Sequence, residues 1–144
     1  MDKKGFEFLE HTADAYIAAH GENLQKALEN AALALFEVMT DTDKVGQESE
    51  EFVEVKADDE YALLYSWLEA LLVKFETEKT LYSKFEILAL EQTSSGFRLK
   101  AKIRGEQFNP EKHTQKVGVK AVTYHRMEII KKPKETTVKF ILDI

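Results

Sequence analysis

Residues 8–21 read "FLEHTADAYIAAHG", and how this stretch is divided sets the start of the fold. Two apolar runs flank His11 and Thr12, so the spacing predicts strands over 5–10 and 13–20 with a break at or near His11 and Thr12. Asp14 is the odd residue. Val, Ile and aromatic side chains suit a pleated strand, whereas Asp is depleted there. An Asp in this position either caps a turn or holds something.

Gly21 and Asn23 stop the second strand and start a helix. Leu24, Leu28, Ala31, Leu35 and Met39 recur at helical spacing, with Glu22, Lys26 and Glu29 off that stripe. "TDTDKVG" (40–46) is turn-rich, and "EFVEVKA" (51–57) alternates as a strand does. Asp58 and Asp59 suit the N-cap of a second helix, whose apolar face carries Leu64, Trp67, Leu68, Leu71, Leu72 and Phe75. The remainder reads as strands. "KFEILALEQ" and "FRLKAKIRG" flank Ser94-Ser95-Gly96, a hairpin signal. "VGVKAVTYH", "RMEIIKK" and "TTVKFILDI" follow, the last two separated by Lys132-Pro133-Lys134. The order is β-β-α-β-α and then several strands. That describes an α+β fold, a single domain over 1–144 with two amphipathic helices packed on mainly antiparallel β-sheet.

A chain of 144 residues, 44% hydrophobic and 32% charged, buries a real core. No run approaches the roughly 18 apolar residues of a membrane span, and the Met-Asp-Lys-Lys start leads into no signal-peptide core. The absence of cysteine rules out disulfides, thiolate nucleophiles and Cys-ligated zinc. A cytoplasmic setting without membrane contact is the expectation. The net charge of -6 conceals an asymmetry: residues 1–96 hold 8 Lys and Arg against 21 Asp and Glu, and residues 97–144 hold 12 against 5. The last third can therefore present a basic face to RNA, or merely solvate one surface.

The sequence lacks a G-x-x-x-x-G-K-[ST] phosphate loop, a G-x-G-x-x-G fingerprint and a G-x-S-x-G nucleophile elbow. His11, His20, His113 and His125 lack the i, i+4 spacing that sets two ligands on one helix face. Carboxylates remain. If the strands ending in Asp143 and beginning near Asp14 lie side by side, both side chains and the Ile144 α-carboxylate converge. Two like charges about 4 Å apart repel by about 4 kcal/mol at an effective dielectric of 20, so such a set needs a proton or a cation. Oxygen ligands favour Ca²⁺ or Mg²⁺, and an irregular set suits calcium better, with magnesium an option. Against this stands the ordinary case, in which an Asp near a chain end is simply solvated.

"EHTADAYIAAHG", "LFEVMTD", "GE" at 105–106, "VKAVTYH" at 119–125 and the terminal "ILDI" together resemble the archease family, in the family's order and over nearly the whole chain to its last residue. The resemblance implies a cofactor protein, not an enzyme. Such a protein activates the RtcB-type RNA ligase that joins tRNA halves, promoting guanylylation of the ligase's active-site histidine, multiple turnover and wider nucleotide use. It also implies a metal site at Asp14, Asp143 and Ile144, with calcium the usual ion, and a role in activation for Lys120. His11 and Thr12 match the family and are assigned to shaping the strand break. The alternative is a chaperone-like module for an RNA-modifying methyltransferase, with tRNA or a tRNA methyltransferase as partner. A small metal-dependent hydrolase using the same carboxylates lacks a general base or nucleophile beside them.

Overall fold

The first helix begins where Asn23 adopts extended backbone and its side chain accepts the Lys26 N–H at 2.9 Å. That bond satisfies one of the amide groups orphaned at a helix start. The structure, a computed structural model, describes residues 5–11 and 14–144. Thr12 and Ala13, part of the expected break and the first residue of the expected second strand, lie outside the described residues. Strands β1 (Phe6–His11) and β2 (Asp14–Gly21) precede helix α1 (Leu24–Met39). A single 3-10 turn (Thr42–Lys44) follows, then β3 (Ser49–Ala57) and α2 (Glu60–Glu78). The chain closes with β4 (Thr80–Thr93), β5 (Gly96–Gln107), β6 (Ala121–Lys132) and β7 (Glu135–Asp143). Asp59 caps α2 by accepting the Ala62 N–H at 2.8 Å.

The strands form two antiparallel sheets, ordered β1-β2-β7-β6 and β3-β5-β4. The helices lie between them: α1 packs on β2, β7 and β4, and α2 on β6 and β3. This explains why α1 is buried on more than the expected stripe. Ala27, Ala32, Ala34, Phe36 and Val38 are buried as well, because the helix has a sheet on either side. Small alanines allow that close approach. Phe36 stacks on Phe85 at 5.7 Å and meets Tyr82 edge-on at 5.8 Å. Trp67, fully buried, donates its indole N–H to the Leu28 carbonyl at 2.9 Å and ties the helices together.

The two turns read from sequence are two-residue hairpin loops, with Thr93 opposite Gly96 and Lys132 opposite Glu135. One expectation needs correction. "VGVKAVTYH" and "RMEIIKK" are not two strands. Residues 117–120 lie outside any strand, because Lys116 N–H donates to the Met39 carbonyl at 3.0 Å and Val117 N–H to that of Val38 at 3.4 Å. This segment is tied to the end of α1. The rest is one strand, β6, whose register against β7 shifts between Thr123 and Glu128. Arg126, at φ +57, absorbs the irregularity.

Candidate functional site at the shared end of three strands

Antiparallel pairing of β2 with β7 sets Asp14 directly opposite Asp143. Ala15, Ile17 and Ala19 of β2 and Val138, Phe140 and Leu142 of β7 belong to the core. Side chains alternate along a strand, so Asp14 and Asp143 both turn away from the helices, on the same outer face. Directly opposed side chains have Cβ atoms about 5 Å apart. Two half-buried carboxylates therefore confront each other, as the spacing argument required.

On the other side of β7, Ala121 pairs with Asp143, and the Lys120 N–H donates to the Asp143 carbonyl at 2.7 Å. Lys120 is exposed, and Ile144 packs partly buried against the core. All four residues expected at the site thus meet at one end of the four-stranded sheet. Among the described residues, no group of three or more His, Asp and Glu side chains is arranged to hold a metal ion. The donor set consists of two opposed carboxylates plus the main chain at Ile144. Its chemistry suits a hard cation: all oxygen, with negative charge to neutralise. Two pairs further along, Tyr16 lies opposite Ile141, with the Arg126 guanidinium 4.3 Å from the centre of the tyrosine ring.

The residues that hold Lys120 in place were not legible as such. Glu106 Oε2 accepts the Gly46 N–H, the Lys112 ammonium and the His113 Nε2–H, each at 2.7 Å. These bonds, the Gly46 amide first, hold the Glu106 carboxyl down at about 2. His113 is buried, and its Nδ1 accepts the Asn109 N–H at 2.9 Å. That bond fixes the tautomer with the proton on Nε2. From there residues 114–120 form a strap toward the site, with Lys116 paired to Glu37 at 2.8 Å. Gly105 is needed because a Cβ there would lie 1.8 Å from the Leu81 carbonyl oxygen. The "GE" pair was the available signal, but nothing in its spacing pointed to His113.

Comparison with known proteins identifies the family. The model of the Archease protein family (MTH1598/TM1083) matches residues 6–144. The chain belongs to the archease family. Protein archease of Sulfurisphaera tokodaii is 49% identical over 141 residues, covering 96% of this chain and 98% of its own. Protein archease of Methanothermobacter thermautotrophicus is 43% identical over 141 residues, covering 98% and 99%. The solution structure of Methanobacterium thermoautotrophicum protein 1598 superposes with a TM-score of 0.86 at 43% identity, over 98% of this chain and 99% of that one. The crystal structure of a Thermotoga maritima archease, described as a possible chaperone, superposes at 0.63 with 16% identity and shares the fold. The α+β architecture expected from sequence is thus that of solved archease structures. No helix among the described residues is long and apolar enough to cross a membrane.

Proposed function

We propose that this archease activates an RtcB-type RNA ligase, promoting guanylylation of the ligase's active-site histidine and its repeated turnover. The observation that carries the reading is the convergence of Asp14, Asp143, Ile144 and Lys120 from two neighbouring strands and the strap. Asp14 and Asp143, with the main chain at Ile144, are assigned to a divalent cation, calcium in the first place. Bound there, the cation supplies positive charge that lets two opposed carboxylates coexist. Lys120, exposed beside them, is the group placed to reach a partner. On this reading the site acts on the ligase and is assigned no reaction of its own.

The test is the rate of guanylylation of purified ligase by GTP, with wild type, Asp143→Ala or no added protein. Acceleration by wild type and its loss in the variant are expected. A ligase indifferent to wild type would overturn the reading, and stabilisation of a tRNA methyltransferase instead would favour the chaperone alternative.

A further inference from the structure

The strap that carries Lys120 starts from a turn closed by a buried histidine. The His113 side chain has no exposed surface, and the Phe108 ring stacks beside it at 6.0 Å. Its two ring nitrogens face opposite kinds of group. Nε2–H donates to Glu106 Oε2 at 2.7 Å, and Nδ1 accepts the Asn109 N–H at 2.9 Å. The second bond closes the turn reciprocally, because the His113 N–H donates back to the Asn109 carbonyl at 2.8 Å. The Lys112 N–H donates to the same carbonyl at 3.0 Å, and the Glu111 N–H to Asn109 Oδ1 at 2.9 Å. A second ring proton would sit on Nδ1 and point at the Asn109 N–H, donor against donor. The closed turn cannot keep this bond with a charged ring. His20 is the contrast. Its nitrogens meet the Thr137 hydroxyl at 2.8 Å and the Glu7 carboxylate at 3.0 Å, and both partners can accept, so either charge state keeps both bonds.

We propose that His113 is a proton-operated latch that positions Lys120: neutral, it holds the strap closed, and protonated, it releases the strap. Its effect on the ligase rests on the ligase-activation reading. The closed turn holds the ring without its second proton and the open turn takes that proton up, so falling pH favours opening. Among the described residues, the charged groups that face the ring are Glu106, from the end of β5, and, through Glu106, Lys112 of the turn itself. The Glu106 carboxylate keeps its bond to the imidazolium, so the Asn109 amide is the side that gives way, while the Lys112 ammonium opposes the added charge. Asp43 and Lys44 border the hollow that Lys112 lines, and Glu37 of α1 is engaged by Lys116. Beyond the turn, main-chain bonds to Met39, Val38 and Asp143 tie the strap at Lys116, Val117 and Lys120. These are the bonds that opening weakens.

The experiment is an NMR titration of the whole protein from about pH 7.5 to about pH 5, the interval in which histidines ordinarily change charge. Ring nitrogen shifts report the charge of His113 and His20, and amide hydrogen exchange reports strap opening. As His113 takes up its proton, the Asn109 amide should shift and exchange at Lys116, Val117 and Lys120 should quicken. Corrected for the intrinsic pH dependence of exchange, opening should rise by about tenfold per pH unit, the slope of a one-proton linkage. Protonation of His20 should move none of these amides. His113→Asn, which keeps an acceptor near the Nδ1 position and cannot be charged, should remove the pH dependence of opening. With ligase, the ratio of wild-type to His113→Asn guanylylation rates should fall severalfold from the upper to the lower end of the interval. A ring that stays neutral throughout, strap amides indifferent to its charge, or the same opening in His113→Asn would overturn the latch. Were that variant to fail to fold, the wild-type titration decides alone. Opening with an unchanged rate ratio would overturn the link to activation. If wild type activates no ligase at any pH, the reading beneath the proposal falls, while the titration still decides the latch.

Discussion

Asp14 and Asp143 oppose each other across a strand pair, and like charges so placed are destabilising by about 0.2–1 kcal/mol. Without cation, Asp14→Asn should therefore raise the melting temperature by up to about 4 °C. With calcium present, wild type should gain stability and the variant should not, by ligand linkage. Scanning calorimetry with and without calcium separates the two effects, and a calcium-free variant less stable than wild type would contradict the like-charge opposition. Lys120 poses the complementary case. Its side chain is exposed, so Lys120→Ala should change stability by less than about 0.5 kcal/mol while reducing ligase activation. Asp14 was legible because it violates strand propensity. Lys120 obeys every local preference, and only the family resemblance singled it out.

The strap shows what periodicity cannot read. Val117 and Val119 alternate with Gly118 and Lys120 as strand residues do, yet the segment hydrogen-bonds to the end of α1. A pairing choice between segments about 80 residues apart leaves no local trace. The hairpins and the helix caps at Asn23 and Asp59 were legible because each is decided within four residues. Glu106 anchors the strap's start, and its lowered pKa gives a pH signature. A carboxyl held at about 2, against an ordinary 4.5, contributes stability that is fully present above about pH 4.5 and lost as pH falls toward 2. Glu106→Gln should lower stability at pH 7 and flatten the acid limb between those values. Thermal melts across that range check it, and an acid limb identical to wild type would show that the carboxylate's bonds are not what holds the loop.

At the scale of the whole molecule, the charge asymmetry resolves differently from its first appearance. Leu99, Ala101 and Ile103 of β5 face the core, so Arg98, Lys100, Lys102 and Arg104 share the outer face of the three-stranded sheet. Glu54, Glu86 and Glu50 from the flanking strands pair with Arg98, Lys102 and Arg104 at 2.7, 3.7 and 3.1 Å. Part of the basic third is thus neutralised in place by the acidic two-thirds, a cancellation visible only once the strands are adjacent. Free protein should accordingly bind tRNA more weakly than about 1 µM at physiological salt, in the range of non-specific contacts. A submicromolar dissociation constant by filter binding would contradict this. On the proposed reading, two strand ends and the main chain at Ile144 form one cation site on which ligase activation depends. Its most direct measurement is a calorimetric calcium titration, with ligase turnover in parallel, of a protein ending at Ile144 and of one with four residues appended there. Appending residues converts a carboxylate into a neutral amide and crowds the site, and affinity follows ligand charge and rigidity. The expected result is weakened calcium binding and turnover in the extended protein, with both intact when the same four residues are added before Met1. Unchanged calcium binding in the extended protein would remove Ile144 from the site and contradict the claim.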